Sequence, residues 1–567
     1  MSASIRHRGP DDHGEYRDSA AGLALAHRRL SIIDLSEASH QPMVDSERKI
    51  ALVYNGELYN FRQLRRELEG RGHVFHSTGD TEVVLRSYIE WGVGAFERFK
   101  GMFALALWDG ASRTLHLARD AMGIKPLYYL AQATGLVFNS EVKAFLELPG
   151  FRARLNERSL HQYLEFGYVF DEQATMLDGV SKLAPGHRLE VRGGKVMADV
   201  AFFVPPAPDP ADTRGEPARL DELGAVLEQV VEEHLIADVP VGLLLSGGLD
   251  SSVLAALASR RGPLLTISMG FGDSAVDERA HARQVADHIG SRHVDVLISP
   301  QQIRDEVMAG VWMFDDLFAD WGTLSTSLLY RHCREMGVKV VLVGEGADEL
   351  FGGYDIFRLP QKLGLWQQFR LYQKYAGRRH GRFFGEFHRI MDDYLRQGGG
   401  DAFHAVRLFE SRRQLPNQYV MKVDKASMAE SVEARTPYLD RRVAELAYRT
   451  PREWLLRGGE NKYLLRALAR RHGLLPEAIS GRMKFGASIA ASWMDEDKSF
   501  REFTRDTLLA AGGITHRLGL DSAMRAYFDE GRSGYAFPRA LSIFRNLAWR
   551  LLLLELWGRH YLKPRSV

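Results

Sequence analysis

Val239-Pro240-Val241-Gly242-Leu243-Leu244-Leu245-Ser246-Gly247-Gly248-Leu249-Asp250-Ser251-Ser252 decides how the second half of this chain folds. An apolar run ends in Ser-Gly-Gly and passes directly into helical periodicity over residues 249–260. Working outward, residues 264–271 form a second apolar run, 277–290 an amphipathic helix and 293–299 a third strand. Helical patterns over 301–313 and 324–336 then lead to the strand 338–343. Nearly continuous apolar strands alternating with helices predict a parallel sheet covered on both faces. In such sheets ligands bind beyond the carboxyl ends of the strands, where a helix N-terminus offers unpaired N–H groups to an anion. The two glycines let the backbone approach an oxyanion closely. Ser246, Ser251 and Ser252 add hydroxyl donors, and Asp250 adds a carboxylate suited to Mg²⁺. An isolated Ser-Gly-Gly would be only a turn and a helix cap. Its place between a buried strand and a helix makes it a phosphate loop, though not a Walker A loop, since no Lys-Ser/Thr follows a glycine at the required spacing.

A second loop, Gly344-Glu345-Gly346-Ala347-Asp348-Glu349-Leu350-Phe351-Gly352-Gly353-Tyr354, also begins at a strand end and is expected to face the same crevice. Glu345 is placed to act as a base toward an attacking amine and Asp348 to hold Mg²⁺. From residue 361 onward the chain reads as mostly helical. The first two hundred residues read as β-rich, with short strands interrupted by helical patterns over 60–71 and 81–92. Pro205, Pro206, Pro208, Pro210 and Pro217 then mark a linker.

Composition sets outer bounds. At 567 residues the chain has room for two to four domains, on the rule of roughly 150 residues each. Hydrophobic residues at 45% and charged residues at 26% exclude a disordered, collagen-like or coiled-coil chain. A net charge of +1 gives no global field for nucleic acid or membrane, and no run approaches the ~20 apolar residues of a membrane span. One cysteine, Cys333, excludes an intramolecular disulfide. The N-terminus has no apolar core of a signal peptide, so a cytoplasmic location is expected.

Ser246–Ser252 resembles the pyrophosphate loop of enzymes that cleave ATP between its α- and β-phosphates to make an acyl-adenylate. Further motifs extend the likeness. His7-Arg8-Gly9-Pro10-Asp11-Asp12, His27-Arg28-Arg29-Leu30-Ser31, Asn55-Gly56-Glu57-Leu58-Tyr59-Asn60, Gly79-Asp80-Thr81-Glu82 and Arg119-Asp120-Ala121-Met122-Gly123 resemble the glutaminase domain of class II amidotransferases. With Lys422-Val423-Asp424-Lys425, Glu433-Ala434-Arg435-Thr436-Pro437 and Lys462-Tyr463-Leu464-Leu465-Arg466, the whole chain resembles the glutamine-hydrolysing asparagine synthetases, ligases of asparagine biosynthesis. The resemblance implies two domains. Residues 1–204 would be an αββα N-terminal-nucleophile (Ntn-hydrolase-like) sandwich, 205–219 a linker, and 220–567 a Rossmann-like parallel α/β adenylating domain with a helical C-terminal part. Arg29 would bind the glutamine carboxylate, Asp80 its α-amino group, and Asn55 and Gly56 would form the oxyanion hole. Leu245, Met269, Val343 and Gly344 would join Ser246, Gly247, Gly248, Asp250, Ser251 and Ser252 at ATP. Asp250 and Asp348 would hold Mg²⁺, and Glu345 and Lys462 would be catalytic, Lys462 at the α-phosphate with Lys484-Phe485-Gly486 nearby. Aspartate, ATP and glutamine or ammonia would be the substrates, with ammonia drawn through an internal passage. Neither nucleic acid nor membrane is expected as a partner, and a homodimer is left open.

The sequence departs from the family in three places. The family's nucleophile is an N-terminal cysteine on a first strand, upstream of the residue matching His7; here Met1-Ser2 stands five residues before that histidine. Either the true start lies upstream or glutaminase chemistry has been lost, and the intact Arg29, Asn55, Gly56 and Asp80 favour the first. Ser2 lacks the strand that would carry it to the pocket, and Cys333 is internal, on a helix of the other domain. Val343 stands where the family more often has Ser, and Asp315-Asp316-Leu317 where it more often has Asp-Glu-Pro. These departures keep two rivals in view: a related amidotransferase acting on another carboxylate, and a catalytically inactive interaction protein.

Overall fold

The computed structural model describes residues 1–562 except 210, 273–276, 359–361, 377–380, 483–496 and 530–537. In the first domain, β1 (Asp12–Asp18) and β2 (Leu23–Arg29) pair as an antiparallel hairpin. β3 (Met43–Asp45), β4 (Ile50–Leu58), β5 (Gly101–Asp109), β6 (Thr114–Arg119), β10 (His187–Arg192) and β11 (Lys195–Ala201) form a six-stranded antiparallel sheet in the order β11-β10-β6-β5-β4-β3. β7 (Tyr128–Gln132), β8 (Gly135–Asn139) and β9 (Val180–Lys182) make a third, smaller sheet.

The period of two along β4 assigns its faces. Ile50, Leu52 and Tyr54 pack on helices α1 (Phe61–Gly70) and α2 (Asp80–Trp91) through Leu64, Leu68, Val83 and Val84. Ala51 and Val53 face the opposite side with Leu25, Leu117 and Leu183, against the two smaller sheets. The result is the αββα sandwich, with its second β layer divided between the hairpin and the β7–β9 sheet. Sequence alone did not single out β1, because Asp-His-Gly-Glu-Tyr-Arg-Asp has almost no apolar alternation; β2 supplies its pairing.

Helix α3 (Glu216–His234) opens the second domain. It starts inside the expected linker, with Pro217 in its first turn, where a missing N–H leaves no bond unmade. The parallel sheet follows: β12 (Val241–Leu244), β13 (Leu265–Gly270), β14 (Arg292–Leu297), β15 (Val340–Leu342) and β16 (Glu433–Arg435), in the order β14-β13-β12-β15-β16. Strands added to one side of β12 give way to strands added on the other, so the topological switch point lies between β12 and β15. β16 was hidden from sequence reading because three residues, two of them charged, carry no strand signal. No helix among the described residues is long and apolar enough to cross a membrane.

One hydrophobic cluster spans both domains, joining Tyr128, Val142, Phe145 and Leu160 to Leu243, Val341 and Val420.

Candidate active site

Both chemistry-bearing loops leave the sheet at its switch point, the place where a crevice opens in such a fold. After β12 the chain turns through Gly247 at φ +72°, and a Cβ there would fall 2.6 Å from the Ala282 backbone nitrogen. Gly248 then starts α4 (Leu249–Ser259) without any side-chain cap. The first N–H groups of α4 are left facing the crevice, as an anion site requires. Gly248 N–H donates to Ser246 Oγ at 3.3 Å, and Ser246 Oγ meets Ser251 Oγ at 3.0 Å. Ser252 Oγ is buried with no hydrogen-bond partner among the described residues. Leu245 N–H donates to the Ile267 carbonyl on β13 at 2.8 Å, which fixes the strand end from which the loop departs. Met269 lies near the carboxyl end of the neighbouring strand, half-buried.

The loop after β15 closes on the first. A Cβ on Gly344 would lie 3.1 Å from Ser251 N and 3.3 Å from Asp250 Cβ. Val343 is buried, and its N–H donates to the Arg435 carbonyl at 2.9 Å. Glu345 is half-buried at the mouth of the loop, and its charge helps raise the pKa of Lys422.

Lys462 ties the loops together. It reaches in from the start of α5 (Tyr463–Arg471), where its backbone takes the left-handed conformation at φ +54°. Its Nζ lies 2.6 Å from Asp250 Oδ2 and 2.6 Å from Asp348 Oδ1. Only 5% of Lys462 is exposed. Burial works against its charge, yet Asp250 and then Asp348 outweigh that effect and push the ammonium up to about 12. Gly353 forms the wall beside them, where any Cβ would collide with Asp348 and with the Lys462 stem. The Lys484-Phe485-Gly486 turn lies outside the described residues.

For Mg²⁺, the donor set is a pair of carboxylates. Among the described residues no three His, Cys, Asp or Glu side chains gather into a metal cage. Two carboxylates with phosphate oxygens and water are what Mg²⁺ commonly takes beside a nucleotide, so Asp250 and Asp348 fit it.

The candidate site of the first domain is built differently. Asp80 is the first residue of α2, and its Oδ2 accepts from Leu58 N–H at 2.8 Å and Tyr54 OH at 3.1 Å. Burial raises its pKa to about 6 against those two donors. Arg29 donates to the carbonyls of Ser36 at 3.2 Å, Ile33 at 3.2 Å and Asp34 at 2.5 Å. Asp34 in turn accepts from Thr78 N–H at 2.7 Å, two residues before Asp80. Arg29 and Asp80 thus border one loop system. Asn55 and Gly56 lie within β4, paired with Ala104 and Phe103. The Asn55 Nδ2 is buried with no hydrogen-bond partner among the described residues. A Cβ on Gly56 would collide with the Met102 carbonyl and come within 2.7 Å of Phe103 Cα.

Ser2 is held by Arg28, whose Nε donates to Ser2 Oγ at 3.1 Å and to the Ser2 carbonyl at 3.3 Å. Cys333 is buried in the helix Thr323–Glu335, and burial pushes its thiol up to about 12, the state of a packed, unreactive cysteine.

Sequence reading missed the ionic clasp between the domains. Glu141 of the first domain gathers His7 at 3.1 Å, Arg8 at 3.1 Å and Lys143 at 2.8 Å. Asp424 of the second domain meets Arg8 at 2.9 Å and Lys125 at 3.5 Å. Glu57 meets Arg435 at 3.3 Å and Asp316 meets Lys182 at 3.6 Å, while Asp315 pairs with Lys425 of its own domain and accepts from the Lys143 N–H across the junction at 2.8 Å. Several of these residues stand in the quoted motifs, but no local spacing announces a pair such as Arg8–Asp424. The departure at Asp315-Asp316 therefore lies in the clasp, with both residues fully buried.

Comparison with known proteins adds names to this geometry. The asparagine synthase family matches residues 222–559, and the glutamine amidotransferase domain family matches residues 1–202. Asparagine synthetase [glutamine-hydrolyzing] 1 of Bacillus subtilis is 31% identical over 86% of this chain and 83% of its own. A Mycobacterium tuberculosis relative, provisionally named a glutamine-hydrolysing asparagine synthetase, is 32% identical over 98% of this chain and 92% of its own. Amidase chry2 of Gibberella zeae is 33% identical over 62% of this chain and 54% of its own.

Proposed function

From the premise that this chain belongs to the asparagine synthase family, as a ligase with a glutamine amidotransferase domain ahead of its synthase domain, we propose that it amidates aspartate to asparagine through β-aspartyl-AMP. ATP lies over Ser246–Ser252, its phosphates on the uncapped start of α4. The aspartate β-carboxylate attacks the α-phosphorus, and pyrophosphate leaves. Asp250 and Asp348 would hold Mg²⁺, which when bound supplies positive charge to the departing pyrophosphate. Lys462 lends its ammonium to the charge that develops on the phosphates. Ammonia then attacks the adenylate carbonyl, Glu345 accepts the surplus proton, and asparagine and AMP are released.

On the glutaminase side Arg29 takes the glutamine carboxylate and Asp80 its ammonium. Where an N-terminal cysteine upstream of Met1 supplies the thiolate that adds to the amide carbonyl, Asn55 Nδ2 and Gly56 N–H would receive the oxyanion; without it, free ammonia is the nitrogen donor. The orphaned Asn55 donor supports that role, because a buried amide without a partner is costly unless a ligand oxygen arrives.

The observation that carries the reading is the Lys462 bridge between Asp250 and Asp348, set against the uncapped phosphate loop at the sheet's switch point. ATP–pyrophosphate exchange across a panel of carboxylic acids tests it. Exchange that depends on aspartate is expected. Exchange with another acid but not with aspartate would transfer the same chemistry to a different acceptor, an outcome the likeness to an amidase keeps on the panel.

A further inference from the structure

The two backbones that carry the Lys462 cluster are stapled to each other. Asn461, immediately before Lys462, donates from Nδ2 to the Gly353 carbonyl at 2.9 Å. Gly353 N–H donates to the Asp348 carbonyl at 2.8 Å, and Tyr438 OH donates to the Asp250 carbonyl at 3.0 Å. The carboxylates therefore stand on fixed supports, and the long flexible member that the described residues contribute is the four-carbon stem of Lys462. That stem runs through space kept open by the missing Cβ of Gly353.

An ammonium 2.6 Å from each of two carboxylates fills the place between them. It offsets negative charge on both, and without it the two carboxylates would repel each other more strongly across a partly buried gap.

Building on the adenylation reading above, we propose that Lys462 is a resident stand-in for the divalent cation. It occupies the Asp250–Asp348 site while no nucleotide is present, and it exchanges its carboxylate partners for phosphate oxygens when cation and nucleotide arrive together. A divalent ion by itself must evict the ammonium and leave it without an anion, so it binds weakly. Nucleotide phosphate gives the ammonium a new partner, so metal and nucleotide bind synergistically. By linkage each strengthens the other by the same factor. A lysine with this duty holds the site in order before the substrate comes and keeps stray divalent ions out of it.

The test reads metal binding with Mn²⁺ as the probe, by electron paramagnetic resonance, on the full chain without nucleotide. Wild type is expected to bind Mn²⁺ weakly, and ATP to raise its affinity at least tenfold. Lys462→Met and Lys462→Gln are expected to bind Mn²⁺ at least tenfold more tightly than wild type without ATP. Adding Asp348→Asn to either is expected to abolish the gain, and Lys462→Arg, which keeps a cation, to show none. Circular dichroism identifies the folded variants, and the isosteric Gln serves if the buried Met unfolds the chain. Wild type that already binds Mn²⁺ as tightly as the variants, or folded neutral variants with no gain, overturns the proposal. Failure of wild type to bind ATP with Mn²⁺ overturns the adenylation reading instead, since the lysine comparison is made without nucleotide.

Discussion

The candidate synthetase crevice and the candidate glutamine pocket lie in one chain and are organised on opposite principles. In the synthetase half, side chains from residues 250, 348 and 462 meet within 2.6 Å, on loops delivered to one edge by a parallel sheet. In the glutaminase half, Arg29 is engaged by three carbonyls, Asp80 by Tyr54 and Leu58, and Asn55 sits inside a nine-residue strand. Topology assembles the first site, because every strand of a parallel sheet ends on the same side. The second is carved into an antiparallel sandwich, so its binding groups double as the framework. A substitution in the first half is expected to disturb chemistry with little effect on folding. The same kind of substitution in the glutaminase half is expected to change folding stability as well, with the sign set by what the buried group costs.

Asp250→Asn gives the largest effect. It keeps the shape of the site and removes a charge from the carboxylate pair, so pyrophosphate exchange is expected to fall by roughly 10²–10³-fold with the thermal midpoint nearly unchanged. Near wild-type exchange would show that the two loops are misread.

Next comes nitrogen donation. A chain expressed from Met1 offers no terminal cysteine beside Arg29 and Asp80. Ammonium is expected to support asparagine formation in it, with a rate rising toward pH ~9 as unprotonated ammonia grows, and glutamine is not. A chain given an upstream cysteine-led segment is expected to use glutamine. In that chain Asn55→Ala removes an oxyanion donor worth ~2.7–4 kcal/mol while leaving the ammonium reaction intact. Glutamate release by the Met1 chain at a comparable rate would return Ser2 to consideration as a nucleophile.

The smallest effect sharpens the contrast most. The pKa of Asp80 is raised to about 6 in the fold against 3.8 outside it. The folded state therefore holds its proton more tightly, and stability is lost as pH rises from about 4 through 6. At pH 7.5 Asp80→Asn, which retains acceptors for Leu58 and Tyr54, is expected to stabilise the protein by on the order of 1–3 kcal/mol. The gain should shrink below pH 6, and glutamine binding should be lost at every pH. Urea unfolding at pH 5 and pH 7.5 checks the sign; a variant less stable than wild type at pH 7.5 would show that the carboxylate holds the fold together.

This contrast also governs how much could be read from sequence. The strand–loop–helix junction at residues 246–252 was legible because strand, glycines and helix are contiguous, and the second loop because it repeats that plan. Lys462 was legible only through the resemblance: nothing local reveals that a left-handed backbone aims it at Asp250, 212 positions away. β1 and β16 escaped because polar edge and three-residue strands are defined by their neighbours rather than by their own residues. The clasp escaped for the same reason, its partners standing as many as 416 residues apart.

The clasp has a consequence for inheritance. A gene divided within residues 204–215 would yield two products, each carrying an uncovered face. The cluster that each would carry away is part of a single shared core, with Tyr128, Val142, Phe145 and Leu160 on one product and Val420 on the other. Apolar faces of that kind drive aggregation. Matched charges such as Arg8 with Asp424, or Lys182 with Asp316, fit only their own counterparts. A synthetase half could be recombined with a foreign glutaminase only if the whole set of partners were exchanged at once. The two domains are thereby locked to one-to-one stoichiometry, made together, turned over together and altered in evolution as a pair.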